Sequence, residues 1–165
     1  MEEGLKLAEK LGDLHHKSIM LANYGFLNLK WNEILQIIKE SNEFVYLISP
    51  YSQFERDLST ELTLIKDAII NSLKRDVDVN FITRSSDYNK LKFMHDEGCK
   101  IYVIPKLHSK IYCNESKALI TSMNLYLASI LNNKEIGILL TKNSELTEFN
   151  QIISYAVDLT KSSSI

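Results

Sequence analysis

Short apolar runs alternate with stretches of helical periodicity along most of the chain, and this alternation restricts the folds open to it. The runs FVYLISP at 44–50, VDVNFIT at 77–83 and KIYVIP at 100–105 are typical of buried strands. WNEILQIIKE at 31–40 repeats apolar residues at helical spacing, as does SELTEFNQIISYAVDL at 144–159. Strands that alternate with helices predict an α/β fold, with a mixed β-sheet sandwiched between helices.

Two further runs, HSKIYCN at 108–114 and KALITS at 117–122, are separated only by a turn-like segment. They predict a β-hairpin, which adds an antiparallel pair to the sheet. Since functional groups in such sheets lie at strand ends and on turns, the ends of the hairpin are the first candidates for a site. Ser144 is the predicted N-cap of the last helix. The other helical patterns are at 56–73, 87–98 and 124–132.

Composition narrows the classes of protein that the chain can represent. Its 165 residues suffice for one domain with a buried core, and no run of about eighteen apolar residues predicts a membrane span. The charged N-terminus lacks the apolar core of a signal peptide, so we expect a cytoplasmic protein. Cys99 and Cys113 are too few and too far apart for a zinc site, and no metal or cofactor is expected.

The net charge of −2 argues against a general nucleic-acid coat protein, but the charge is unevenly distributed. Residues 84–117 carry seven basic residues against four acidic ones. An ordinary solvated surface explains most such lysines, whereas a local field that attracts anions is the alternative interpretation.

Four polar residues lie at the two ends of the predicted hairpin. His108 and Lys110 are two residues apart at the start of its first strand, and Ser122 and Asn124 are two apart at the end of its second. Side chains at i and i+2 of a strand point the same way, and the turn brings the two ends together. An imidazole, a fixed cation, a hydroxyl and an amide can together hold a phosphoryl group without a metal.

This stretch resembles the motif of the phospholipase D superfamily. The motif is His-x-Lys, four residues, Asp, a short spacer and then Gly-Ser-x-Asn, and His108, Lys110, Ser122 and Asn124 match it. The family also has an acidic residue beyond the Asn, which Glu135 matches. The resemblance implies the phospholipase D-like fold, catalytic roles for His108, Lys110, Asn124 and Glu135, and phosphate binding by Ser122, Lys110 and Asn124.

The chain departs from this motif at two structural positions. Glu115 stands where the family has Asp, Thr121 stands where it has Gly, and the spacer is about one residue short. The family Asp is mainly a turn residue, a role that Glu115 is expected to fill. The added Cβ of Thr121 is expected to narrow the phosphate pocket. Ser49 and Tyr51, which follow the first strand, either line this pocket or simply form a turn.

The resemblance also divides the chain. Residues 1–28 are predicted to be an N-terminal helical extension, and 29–165 the phospholipase D-like domain. A second His-x-Lys pattern, at 15–17, lies in the extension and has no Ser-x-Asn after it. We interpret it as part of a helix surface.

With one usable motif, the chain resembles the single-motif branch of the family, the small bacterial endonucleases and their mitochondrial relatives, which form homodimers. The resemblance implies a mechanism with two imidazoles. His108 of one subunit attacks phosphorus to form a phosphohistidine, and His108 of the other protonates the leaving oxygen and then activates water. Glu135 would orient and charge-balance an imidazole.

Three functions remain open from the sequence. A metal-independent phosphodiesterase that acts on DNA or RNA is favoured by the small size and the basic region around the motif. A phospholipase or phosphatidyl transferase is disfavoured because no membrane-binding segment is apparent. The third is a catalytically weak nucleic-acid-binding module of the same fold, which Thr121 and the acidic total favour. The expected partners are therefore a second copy of the chain and nucleic acid, ahead of membrane lipid.

Overall fold

A seven-stranded mixed β-sheet forms the centre of the computed structural model, which describes residues 18–20, 29–54 and 59–163. The sheet order is β1-β7-β6-β5-β2-β3-β4, in which β2, β3 and β4 run parallel and the other neighbours antiparallel. The predicted mixed sheet is thus confirmed. The strands are β1 Ser18–Met20, β2 Phe44–Ile48, β3 Asp78–Thr83, β4 Lys100–Val103, β5 Ile111–Asn114, β6 Lys117–Thr121 and β7 Gly137–Thr141.

Helices connect the strands at the places where helical periodicity predicted them. A 3-10 helix, Ser85–Leu91, leads directly into α3 and replaces the first half of the helix predicted at 87–98. The helices are α1 Leu29–Glu40, α2 Thr60–Leu73, α3 Lys92–Asp96, α4 Leu127–Leu131 and α5 Leu146–Lys161. None of the described helices is long and apolar enough to cross a membrane.

Alternation along the strands divides the core into two clusters, one on each face of the sheet. On one face Ile34 of α1 and Ile65 of α2 pack with Leu47 of β2, and on the other Phe149 and Ala156 of α5 pack over the hairpin. Full burial of one such large apolar side chain contributes roughly 1.5–3 kcal/mol. The sheet is therefore sandwiched between helices, as the strand and helix patterns predicted.

Two local predictions at the chain ends differ from the structure. Ser144 is not the N-cap of α5, because that position is Glu145, whose Oε2 accepts hydrogen bonds from Thr141 N and Oγ1 at 2.9 and 3.2 Å. The helical extension predicted at 1–28 is described only at 18–20, where the chain is a strand paired antiparallel with β7. Pairing with a sheet edge outweighs local helical periodicity there. The motif-like residues 15–17 lie outside the described residues.

The opposite edge of the sheet is formed by β4, whose outer side meets the C-terminal residues. Val103 N donates a hydrogen bond of 3.0 Å to Ser163 Oγ, and Ser163 Oγ in turn donates to Val103 O at 3.5 Å. Ser163 thus satisfies backbone groups that an edge strand otherwise leaves open.

Candidate active site

The β5–β6 hairpin brings the His-x-Lys and Ser-x-Asn segments to the same end of the sheet. Ile111 pairs with Ile120, and just beyond this pair Thr121 N donates a 3.0 Å hydrogen bond to Lys110 O. Lys110 directly precedes β5 and Ser122 directly follows β6. His108 lies in the preceding loop and not at the start of the strand, so strand alternation does not determine its direction.

The hairpin turn is closed by the side chain of Asn114, one residue before Glu115, which was expected to fill this role. Its Oδ1 accepts hydrogen bonds from Ser116 N at 2.9 Å and Lys117 N at 2.8 Å, which is the usual way that Asn closes a turn. Glu115 lies in the turn, but its Oε1 accepts from Asn42 N at 2.9 Å. Glu115 therefore ties the hairpin to the loop between α1 and β2.

Lys110 is a buried cation, with 8% of its surface exposed. Its Nζ donates a 2.6 Å hydrogen bond to the backbone carbonyl of His108. Burial lowers the pKa of Lys110, the nearby Arg84 guanidinium lowers it further, and the Glu135 carboxylate acts in the opposite direction. The charges of Arg84 and Glu135 therefore both act on Lys110, the residue that holds the loop of His108.

The loop around His108 is held on both sides while the imidazole is exposed. Arg84 Nε donates to Leu107 O at 2.6 Å, and Ser109 Oγ lies 3.0 Å from Tyr155 OH on α5. Within the described residues, nothing hydrogen-bonds the imidazole of His108. An accessible imidazole on a fixed backbone is suited to attack on phosphorus or to proton transfer.

Ser122 and Glu135 are in direct contact beside this loop. Ser122 Oγ donates to Glu135 Oε2 and accepts from Ile136 N at 3.1 Å. The other carboxylate oxygen of Glu135 accepts from Asn133 Nδ2 at 3.2 Å, and the residue is 6% exposed. The described partners of the Glu135 carboxylate are therefore Ser122 and Asn133, and the imidazole of His108 in the same chain is not among them.

Thr121 is buried in β6, where its hydroxyl stays within the sheet. Thr121 Oγ1 donates to Ile136 O at 2.7 Å and accepts from Met123 N at 3.2 Å. The residue opposite Thr121 on β7 is Gly137, which leaves room for the extra side chain. The substitution of the family's Gly is accommodated between the strands.

Asn124 lines a cavity of about 330 Å³. Its Oδ1 is buried and has no hydrogen-bond partner among the described residues. The carboxylate of Asp87, in the wall of this cavity, accepts hydrogen bonds from Ser52 N at 2.6 Å and from Lys90 Nζ at 3.2 Å. A buried amide oxygen without a partner is rare in proteins, so Asn124 Oδ1 marks an unsatisfied polar position in the wall of the cavity. The lining residues are Tyr51, Ser52, Asp87, Lys90, Asn124 and Tyr126.

Sequence reasoning missed Arg84 as a site residue, although the basic stretch 84–117 begins with it. Arg84 Nη1 donates to the hydroxyl of Tyr51 at 2.6 Å, so this one side chain connects Tyr51 with the carbonyl of Leu107. Tyr51 lines the cavity, while the buried Ser49 braces the chain by donating to Tyr51 O at 2.6 Å. No group of three or more His, Cys, Asp or Glu side chains in the described residues is arranged to hold a metal ion.

Comparison with known proteins identifies the family. A family profile described as cardiolipin synthase, phospholipase D-like domain, matches residues 34–156. No curated protein matches the sequence significantly. The structure is similar to the phospholipase D family member Nuc from Salmonella typhimurium, with 16% identity, a TM-score of 0.69, and coverage of 90% of this chain and 97% of Nuc.

Two further solved structures share the fold. NucT from Helicobacter pylori has 18% identity and a TM-score of 0.70, again over 90% of this chain and 97% of that one. The archaeal chromatin protein TrmBL2, described with a novel mode of DNA binding, has 13% identity and a TM-score of 0.61 over 99% of this chain and 60% of its own. The profile match over most of the domain, together with this fold, shows that the chain belongs to the phospholipase D superfamily, whose members act on phosphodiesters.

Proposed function

We propose that this protein is a metal-independent phosphodiesterase that cleaves DNA or RNA through a phosphohistidine intermediate on His108. The observation that supports the proposal is the arrangement of His108 and Lys110. The His108 residue is exposed, and its backbone carbonyl accepts a hydrogen bond from the buried ammonium of Lys110. A cation held in a partly desolvated position stabilises negative charge that develops on a phosphoryl group.

The reaction would proceed in two displacement steps. An imidazole nitrogen of His108 attacks phosphorus, the bond to the leaving oxygen breaks, and a second imidazole donates a proton to that oxygen. The second imidazole then removes a proton from water, the hydroxide attacks phosphorus, and the phosphorus–nitrogen bond breaks to restore His108. Lys110 and the amide of Asn124 stabilise the developing negative charge in both steps, and Ser122 donates to a phosphate oxygen once its hydroxyl turns away from Glu135.

The second imidazole comes from His108 of another subunit, so the active form is a homodimer with two-fold symmetry. Glu135 would then orient an imidazole across the interface, since its partners within the chain are Ser122 and Asn133. Light scattering should give the mass of a dimer at micromolar concentration. Full activity of a monomer would contradict this part of the proposal.

Nucleic acid is the proposed substrate in preference to a phospholipid. Two basic residues of the stretch 84–117, Arg84 and Lys110, lie close together at the candidate site, and the structurally similar TrmBL2 is described as binding DNA. Incubation with DNA, RNA and a fluorescent phospholipid, each with and without EDTA, would separate the alternatives. Cleavage of the phospholipid alone would favour a lipid enzyme, and binding without cleavage a catalytically weak nucleic-acid-binding module.

The decisive experiment is to trap the covalent intermediate. Quenching under non-acidic conditions during turnover should leave a phosphoryl adduct on His108, found by intact mass and peptide mapping, and His108→Ala should remove both adduct and turnover. His95, which is exposed on α3, provides the matched control, since His95→Ala should retain both. An adduct on another residue, or turnover by His108→Ala, would contradict the mechanism.

A further inference from the structure

Two exposed tyrosines flank a rigid junction beside Asn124. Ser52 and Leu125 form an isolated parallel bridge, Gln53 N donates to Leu125 O at 2.9 Å, and Ser52 and Leu125 are themselves fully buried. Tyr51 precedes this bridge on one segment and Tyr126 follows it on the other, and their surfaces are 42% and 45% exposed. The backbone pairing therefore holds two aromatic side chains at the rim of one cavity.

The Tyr51 ring is also anchored through its side chain. Arg84 Nη1 donates to the hydroxyl of Tyr51 at 2.6 Å, and the guanidinium carbon lies 5.1 Å from the ring centroid. The same Arg84 holds the carbonyl of Leu107, the residue before His108. The position of the Tyr51 ring is thus coupled to the loop that carries the proposed nucleophile.

The cavity between these tyrosines is of modest size and has a mixed lining, in which apolar surface predominates. Its polar lining residues are Ser52, Asn124 and the ion pair of Lys90 with Asp87, whose charges offset each other. About 330 Å³ is at the lower end of the range for sites that take a drug-sized ligand. A cavity of this volume, with two aromatic side chains beside hydrogen-bonding groups, suits a flat heterocycle with polar edges better than a pair of acyl chains.

We propose that the Tyr51–Tyr126 cavity binds the nucleobase next to the scissile phosphate, and that the enzyme therefore prefers single-stranded nucleic acid. The inference rests on the proposed function, because it names the form of nucleic acid that the His108 site takes. Aromatic side chains stack on any base, which gives affinity without sequence preference. A base within a duplex must first be unstacked and unpaired to enter such a cavity, whereas a single strand presents it directly.

The test compares short oligonucleotides of one sequence as a single strand, as a duplex, and as a fully abasic strand with the same phosphodiester backbone. We expect kcat/KM for the natural single strand to exceed that for the duplex and the abasic strand by about tenfold or more. Tyr126→Leu should lower kcat/KM on the natural strand about tenfold and leave cleavage of the abasic strand unchanged. Tyr51→Leu also removes a partner of Arg84, so it should lower cleavage of both strands, with the larger loss on the natural strand. Tyr126→Phe, which keeps the ring, should retain the wild-type rate.

Leu64→Ala is the control, since Leu64 is a similarly exposed residue on α2 and should show wild-type rates on every substrate. Equal loss on the natural and abasic strands would assign the tyrosines a structural role and overturn the inference, as would equal rates on single strand and duplex. In either case the nuclease activity would stand. Failure of the wild type to cleave any of the oligonucleotides would overturn the proposed function and the inference with it.

Discussion

Thr121 on β6 stands directly opposite Gly137 on β7, and the threonine Cβ occupies space that a side chain on the glycine would need. A Cβ added at Gly137 would lie 3.3 Å from Thr121 Cβ and 3.1 Å from Leu119 Cδ1. The side chain that replaces the family's glycine at Thr121 is thus accommodated by a glycine on the neighbouring strand.

Gly137→Ala should lower the free energy of unfolding by about 1–3 kcal/mol, because an added methyl group overpacks this junction. The carbonyl of Ile120 would lie 3.2 Å from the new Cβ and belongs to the paired backbone, so it cannot move freely. Thr121→Gly combined with Gly137→Ala should show a favourable coupling energy in a double-mutant cycle. Urea unfolding measures both quantities, and additive effects would show that the two residues do not share the space.

Lys110→Met should lower kcat about 10²–10³-fold, since a fixed cation is lost where charge develops.

The stability of the folded protein should depend on pH through the ammonium group of Lys110. Because burial lowers the pKa of Lys110 below 10.5 in the folded protein, the unfolded chain binds more protons between the two pKa values. Wild type should therefore gain stability relative to Lys110→Met as the pH rises towards 10.5. Denaturant unfolding at several pH values tests this, and a flat difference would contradict it.

Glu135→Gln should lower kcat about tenfold at neutral pH and move the basic limb of the pH–rate profile to lower pH. The Glu135 carboxylate raises the pKa of Lys110, so its neutral replacement lets Lys110 lose its proton sooner. Glu145 is a matched control, since it is also a buried carboxylate but binds Thr141 and lies outside the site. An unchanged profile for Glu135→Gln, or the same shift for Glu145→Gln, would contradict the assignment.

Cys99 and Cys113 should not react with a thiol reagent at pH 8 in the folded protein. Both are buried, and desolvation raises the pKa of each thiol to about 12. Both should react at once in denaturant, which provides the control. Because access requires the core to open, the slow native reaction should follow the unfolding rate or equilibrium. Rapid labelling of either cysteine in the folded state would show that its strand opens locally.

The sequence alone was sufficient to predict the elements whose apolar pattern is strong and whose strand pairing is local. The hairpin is an example, since the short NES segment leaves few ways to pair 111–114 with 117–121. The position of Lys110 beside the end of β6 follows from that pairing. The helix at 144–159 was equally predictable, but its cap was not, because Glu145 binds Thr141 in the preceding turn.

The rest of the candidate site depends on contacts between distant segments. Arg84 and Leu107 are 23 residues apart, and Ser49 meets Leu125 across 76. No periodicity or spacing indicates that a basic residue after β3 will hold the His108 loop, or that Tyr51 will lie beside Tyr126. Such contacts arise when β2 and β3 place their carboxyl ends next to the hairpin, which requires the complete sheet.

The hydrogen bond between Val103 and Ser163 has a consequence for how copies of this chain behave in concentrated solution. At Val103, β4 presents its backbone groups to Ser163 instead of to a strand of another molecule. A chain cut before Ser163 would keep every residue of the candidate site, yet the backbone groups of Val103 at this edge of the sheet would lose their described partner. Unpaired strand edges add further strands, so such a chain should be prone to form insoluble aggregates although each folded copy retains the candidate site.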